Sequence, residues 1–454
     1  MGVMTQLWFE TALLPDGWAD RVRVTLDGER IALVEAGAAA DGAARFGAAV
    51  SGFGNLHSHA FQRAMAGLGE VRGAGDDSFW TWREAMYRFA RAIGPEAMEA
   101  IAAMAFVEML ESGFTRVGEF HYLHHQSDGT PYDDSAEMGA RLTAAAHATG
   151  IGLTLLPVLY QQGGFGGAPA GAGQRRFVND LDRYAALVEA SRRAVAVLPD
   201  GVVGVAPHSL RAVGLEALAE AVQIGGDGPI HIHVAEQQRE VDDCLAWSGA
   251  RPVQWLLDRA PVDARWCLVH ATHMTAGEMR RLAKSGAVAG LCPLTEASLG
   301  DGIFPARDYV AAGGRYGIGS DSNVLIDAAQ ELAALEYSQR LAHRQRNLLA
   351  AGLGSTGRSL VDAARIGGAQ ALGVAPGRIE AGAPADFVAL DAGHPSAAGR
   401  RGDALLDAWV FAGQRDLVAA VWRRGRQVVA EGRHVGREAI TRRYRATIEA
   451  LLDG

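Results

Sequence analysis

Lysine is nearly absent from this chain: Lys284 is the only one in 454 residues. Cysteine is almost as scarce. Cys244, Cys267 and Cys292 are odd in number, widely spaced and never paired as Cys-x-x-Cys. That excludes a disulfide frame and a thiolate zinc site, and fits reduced thiols in a cytoplasmic protein. Cys292 falls near the end of an apolar run, where a free thiol is expected to pack as a small hydrophobe. No run of about 18 apolar residues occurs, so no membrane span is expected. Residues 1–10 lack a basic segment followed by an apolar core, so no signal peptide is expected. Positive charge is not in excess either. The net charge of −9 argues against a nucleic-acid partner, because phosphate binding needs a basic face.

What remains is a soluble globular composition, 49% apolar and 21% charged, at a length suited to a large α/β barrel plus a smaller domain. Strand-like runs occupy 7–14, 21–24 and 30–35 near one end and 386–391, 417–423 and 426–430 near the other, the last two joined by an Arg424-Gly425 turn. Residues 1–50 and 375–454 are therefore expected to pair into one small discontinuous β-sandwich domain. Between them, in 51–374, eight strand candidates alternate with helical patterns: 50–56, 115–120, 152–159, 202–206, 229–234, 266–269, 287–292 and 315–319. Most are continuously apolar, as strands buried on both faces are, which predicts a (β/α)8 TIM-type barrel with its site at the C-terminal strand ends. Two clear helices are predicted at 96–111 and 330–349; the second carries Arg340, Arg344 and Arg346 as an interface or a solvated face. Two long loops lie on the site's side. Residues 60–95 contain Trp80, Trp82 and Arg83, and residues 163–173 are glycine-rich, a floppy surface loop or a mobile lid.

The residues at those strand ends carry chemistry. His57 and His59 stand at i and i+2 of an extended chain, so both imidazoles point to one side, into the barrel mouth. His231 and His233 also share a face; His233 is nearer the strand end and is taken as the third ligand, His231 as a hydrogen-bonded barrel histidine. Asp321 ends the eighth candidate strand. Three imidazoles and a carboxylate suit one divalent metal, Zn²⁺ foremost, with Fe²⁺ or Mn²⁺ also accommodated. Glu236, three residues past His233, is a candidate proton shuttle, and His270 a base or electrostatic clamp on the attacking water. His208 ends the fourth strand and touches water or substrate. His273 faces a helix or solvent. His121, His124 and His125 read as a polar loop.

Taken together, the His-x-His after the first strand, the His-x-x-Glu after the fifth, the strand-six histidine and the strand-eight aspartate resemble the amidohydrolase superfamily over the whole chain. Two-metal barrels of that superfamily often bridge their ions with a carboxylated lysine at the end of strand four; this chain has Ala206-Pro207-His208 there, and Lys284 lies between strands six and seven. The resemblance is thus to the mononuclear deaminase branch, with one metal per subunit. Segments 54–63, 80–83, 119–125, 207–211 and 293–302 are similar to the formimidoylglutamate deiminases within it, enzymes of histidine degradation. Heterocycle deaminases commonly have Asn where this chain has Thr295-Glu296, a departure that counts against a purine or triazine substrate. A homodimer is a further implication of the resemblance.

The chemistry of the loops agrees with an acidic substrate. Arg83 and Arg211 offer planar forks for two carboxylates, and Gln62, Tyr122 and His208 fall on the same open face. The expected reaction is hydrolysis of the formimidoyl C–N bond, with Asp321 or His270 accepting the water proton and Glu236 protonating the leaving nitrogen. The alternatives are a mononuclear deaminase of an aminated heterocycle such as guanine, and a catalytically silent structural barrel.

Overall fold

The computed structural model describes residues 4–72 and 78–453. Eight parallel barrel strands lie at its centre: Phe53–Ser58, Phe114–His121, Gly152–Leu159, the broken pair Val202–Val203 and Ala206–Pro207, Ile230–Val234, Trp266–His270, Val288–Leu291 and Arg315–Ile318. Strands one to four form one parallel ladder and five to eight another. Isolated bridges Val205–Ile230 and Ser209–His233 join strand four to strand five, and Ser58–Asp321 joins strand one to strand eight, so the ring is completed at two seams. Helices cover the outside, which buries both faces of most strands and explains why they read as continuous apolar runs rather than alternating ones.

Three expectations need correction here. The helix predicted at 330–349 is Ala328–His343. Arg344 takes a left-handed conformation (φ 55°) and ends it, and the chain then folds back so that the Leu348 and Leu349 N–H groups donate to the buried Glu336 carboxylate, each at 3.0 Å. The stretch 60–95 is not a loop throughout. It forms a 3₁₀ turn over Ala60–Met65 and then a helix, Phe79–Ala92, begun by the Ser78 cap; residues 73–77 lie outside the described residues. Its Phe79, Trp82, Met86 and Ala90 recur at helical spacing behind a Ser78 cap, a pattern the loop assignment passed over, and the first three line the pocket.

The third correction concerns the terminal domain. Hydrogen bonding gives one continuous eight-stranded sheet rather than two facing sheets, in the order Arg433–His434, Arg426–Ala430, Val418–Arg423, Phe387–Leu390, Ala44–Ser51, Thr5–Leu14, Gly17–Asp27, Arg30–Glu35. The sheet encloses its core by curling. Phe9 and Trp422 sit three strands apart, about 14 Å in a flat sheet, yet their ring centroids are 6.4 Å apart. Nor does all of 375–454 join the sheet. The helix Arg437–Asp453, which the sequence reading missed, packs on the barrel helix Pro95–Glu111 through Arg443–Glu99, and Tyr444 donates to the Arg63 carbonyl at 3.2 Å.

Sheet and barrel are tied by a charge knot of two buried arginines and two half-buried aspartates. Asp200 takes Arg116 of the second barrel strand at 2.7 Å and Arg423 of the terminal sheet at 2.6 Å, and Arg423 also pairs with Asp386. Removing one member of such a group leaves buried charge uncompensated. Asp200→Ala should therefore lose roughly 3 to 5 kcal/mol of unfolding free energy. A denaturant titration followed by circular dichroism measures it; a loss under 1 kcal/mol, the size of a surface pair, would mean that the knot does not hold the two parts together.

Candidate metal centre and pocket

His57 and His59 leave the first barrel strand side by side, and His233 ends the fifth. The Nε2 atoms converge: His57 lies 3.2 Å from His59 and 3.1 Å from His233. Asp321 Oδ1 is 3.4 Å from His57 Nε2 and 3.2 Å from His59 Nε2, and all four donor atoms fall within 4.8 Å of one another. For metal–ligand bonds of about 2.0–2.1 Å, the edges of a tetrahedron are about 3.3–3.4 Å, so the measured separations fit a single divalent ion. The tautomers fit too. His59 Nδ1 bonds the Phe120 carbonyl at 2.8 Å and His233 Nδ1 the His208 carbonyl at 3.1 Å, which leaves each Nε2 lone pair aimed at the centre. Burial favours the neutral imidazoles that ligation needs, and lowers His57 to about 3.

The ligands are held by a seam of polar side chains. Asn55 accepts the Ser320 N–H at 3.0 Å and donates to its hydroxyl at 2.6 Å. Asn323 donates to Ser58 Oγ and to the carbonyls of His59 and Asp321, each at 3.1 Å. Backbone bonds His59 N–H to Asp321 O and Asp321 N–H to His57 O, both 2.9 Å, complete it. Five non-glycine residues at the mouth adopt left-handed backbone, Ala235 (φ 51°), His270 (φ 65°), Ala271 (φ 48°), Asp321 (φ 46°) and Asn323 (φ 55°). Such conformations cost energy and persist where surrounding bonds over-determine them.

Around this centre stand the proton-handling groups. His270 Nε2 is 3.8 Å from Glu236 Oε1 and 3.9 Å from Asp321 Oδ2, while its Nδ1 bonds Glu296 at 3.2 Å. Burial works against the imidazolium, but Glu236, Glu296 and Asp321 outweigh it and raise His270 to about 10. Burial raises Glu236 to about 7, against the pull of His270 and Arg211. Burial also opposes the charge on Asp321, yet the neighbouring histidines hold it well below the usual carboxylate range. Glu296 is the orienting partner that sequence reasoning missed; only its place in the distinctive segment 293–302 marked it.

The pocket above brings together every sequence-predicted substrate residue: Gln62, Arg83, Tyr122, His208 and Arg211 line it with His59, Glu236 and His270. Gln62 donates to Tyr122 Oη at 2.7 Å, and its own carbonyl oxygen is buried without a partner. The Nε atoms of Arg83 and Arg211 are buried and likewise unpartnered. Tyr87, Tyr160 and Phe177, not singled out in the sequence, complete the wall. Gly163 is the one residue of the glycine-rich loop that reaches it.

Other histidines fall elsewhere. His231 is buried and bonds the Ala371 carbonyl at 2.7 Å, as a barrel histidine should. His273 bonds the Asp301 carbonyl at 2.8 Å. His121, His124 and His125 do not form a solvated polar loop: all are buried, and His124 and His125 are stitched to the carbonyls of Val158 and Val178 at 3.0 Å. Cys292 is buried, as expected, with its sulfur among the donors of His270 and Asp321.

Comparison with known proteins now has a geometry to meet. Residues 48–428 match the amidohydrolase family, and residues 4–48 match the formimidoylglutamate deiminase HutF N-terminal domain. A formimidoylglutamate deiminase of Pseudomonas aeruginosa is 52% identical across 99% of this chain and 100% of its own length. The 8-oxoguanine deaminase of the same organism is 27% identical, covering 89% and 87%. Among solved structures, an amidohydrolase from Brucella melitensis superposes with a TM-score of 0.95 at 54% identity, covering 99% and 100%. An adenosine deaminase from Xanthomonas campestris with bound zinc shares the fold at a TM-score of 0.81 and 22% identity, covering 99% of each chain.

Two measurements test this centre and the barrel histidine beside it. Elemental analysis after zinc loading should give one ion per chain, and His233→Ala should bring this well below half; an undiminished metal content in that variant would remove His233 from the centre. His231 offers a pH signature. Burial lowers it to about 4 in the folded chain, against an ordinary value of 6.5. As pH falls below about 6.5 the unfolded chain binds a proton that the folded one refuses, so stability drops until about pH 4. His231→Gln should flatten the slope of unfolding free energy in that window by up to about 1.4 kcal/mol per pH unit; parallel slopes would contradict a neutral buried His231.

Proposed function

The chain belongs to the amidohydrolase family, and on that footing we propose that it is a formimidoylglutamate deiminase, hydrolysing N-formimidoyl-L-glutamate to N-formyl-L-glutamate and ammonia in histidine degradation. The observation that carries this is the polarity of one pocket in a chain 52% identical to such an enzyme over 99% of its length. Its floor gathers imidazoles and acids suited to a metal and to proton transfer, and its wall presents two guanidiniums whose buried Nε atoms have no partner.

His57, His59, His233 and Asp321 would hold one divalent ion, zinc on the character of the donors, and such an ion lowers the pKa of water toward about 7 and polarises it for attack. Arg83 and Arg211 clamp the two substrate carboxylates through their N–H edges. Gln62, Tyr122 and His208 orient the amidine over the floor. Asp321 accepts a proton as water adds to the amidine carbon. His270, held cationic by three carboxylates, steadies the negative charge that develops on the oxygen. As the C–O bond forms, the C=N electron pair moves to nitrogen, and Glu236 delivers a proton there. Glu236 then takes the hydroxyl proton of the adduct and passes it to the same nitrogen, the oxygen electron pair closes the formyl carbonyl as the terminal C–N bond breaks, ammonia leaves, and the proton held by Asp321 returns to Glu236. A group near pKa 7 both takes and gives a proton at neutral pH, which suits Glu236 to this task.

The site offers little to an aminated heterocycle. At the position where heterocycle deaminases carry Asn, Thr295 is engaged with Ser320 and Ser322, and Glu296 with His270. The reading extends to a homodimer in the cytoplasm. Three buried free thiols support the location, and the exposed Tyr337 and Leu341 on the helix Ala328–His343 support an interface.

Zinc-loaded protein should release ammonia rapidly from N-formimidoyl-L-glutamate and not from guanine; release from guanine alone would keep the metal centre and overturn the substrate. Glu236→Ala should retain metal and lose turnover by about 10²-fold or more, and Arg211→Met should raise KM far more than it alters metal content. Near-normal turnover in the first, or an unchanged KM in the second, would take that residue out of its role.

A further inference from the structure

One indole gathers three arginines, two of which line the pocket. The guanidinium carbons of Arg83, Arg239 and Arg211 lie 4.5, 4.8 and 5.7 Å from the ring centroid of Trp80. They come from three separate elements. Arg83 is on the helix Phe79–Ala92 with Trp80 itself, Arg211 follows the fourth barrel strand, and Arg239 is on the helix Gln238–Ser248 that follows the fifth. Among the described residues Arg83 has no ion pair, Arg211 has only Glu236 at 3.9 Å, and Arg239 only Asp243 at 3.7 Å. The Nε atoms of Arg83 and Arg211 are buried without partners, whereas the Arg239 side chain is 67% exposed.

Three like charges around one ring repel each other. The attraction of an aromatic face for each is modest, and among the described residues the opposing charges are Glu236 and Glu240 near Arg211 and Asp243 beside Arg239, with no ion pair on Arg83. A guanidinium stacked on a ring keeps its N–H edges free, and those edges are the part that reads a carboxylate. We propose that Trp80 is a positioning residue that sets these edges toward the substrate, and that Arg239 is a third recognition cation which engages the outer carboxylate and so selects dicarboxylates over monocarboxylates. This rests on the reading of the substrate as an N-formimidoyl dicarboxylate. The two arginines that line the pocket meet the substrate inside it; Arg239 adds charge where the pocket opens, and Trp80 fixes all three relative to one another.

The test uses the zinc-loaded full chain and two readouts, steady-state kinetics with N-formimidoyl-L-glutamate and calorimetric binding of glutarate and butyrate. Trp80→Leu should raise KM about 10-fold while kcat falls no more than about 3-fold, and Trp80→Tyr, which keeps an aromatic face, should restore most of the KM. Arg239→Gln, on an exposed side chain that does not endanger folding, should weaken glutarate about 10-fold and butyrate less than about 2-fold. Wild-type KM and glutarate affinity in both Trp80→Leu and Arg239→Gln would overturn the proposal, as would equal weakening of glutarate and butyrate in Arg239→Gln. If wild-type protein binds glutarate in a Trp80-dependent way yet releases no ammonia from N-formimidoyl-L-glutamate, this inference stands and the substrate assignment falls.

Discussion

The seam between the first and eighth barrel strands is the constraint on which the site depends. Barrel closure there rests on a single bridge, Ser58–Asp321, and on the side chains of Asn55 and Asn323. The same few bonds fix the backbone of His57, His59 and Asp321, three of the four candidate ligands. Closing the barrel and shaping the metal centre are thus one event. Buried polar networks of this kind are costly when half satisfied and specific when complete. They also explain how Asp321 can sit in left-handed backbone, since its neighbours leave it no other choice.

Electrostatics then divides the pocket in two. At the floor, desolvation keeps imidazoles neutral and makes Glu236 a group that exchanges protons near neutrality, while a ring of carboxylates charges His270. At the wall, the cations are arginines. A lysine buried there could shed its proton, whereas guanidinium stays charged and keeps a flat edge for a carboxylate. The shortage of lysine in the sequence is consistent with a protein whose positive charge serves stacking and bidentate contact.

Much of this was legible in the sequence because strand ends carry local signatures. His57, His59, His233, His270 and Asp321 each close an apolar run, so their convergence follows once the barrel is assumed. The choice between His231 and His233 also follows from position along the strand. What could not be read depends on partners distant in the chain. Glu296 is an ordinary helical acid until it meets His270, and Asn323 an ordinary loop residue until it meets Ser58 and His59. The helix Arg437–Asp453 was a different kind of miss: Ile440, Tyr444, Ile448 and Leu451 recur at helical spacing and pack on the barrel. That the two terminal pieces pair was expected from the sequence, whereas the order of strands across the sheet was not, because hydrophobic patterns do not encode which strand pairs with which.

That pairing also has a consequence in time. Strand Ala44–Ser51 lies in the middle of the terminal sheet, with Thr5–Leu14 on one side and Phe387–Leu390 on the other. Its second partner is synthesised some 340 residues later. At usual translation rates of about 5–20 residues per second, the first four strands wait roughly 20 to 70 s with an open, hydrogen-bond-ready edge. The barrel strands all emerge during that interval, so a closed barrel and an unfinished sheet can coexist on one nascent chain.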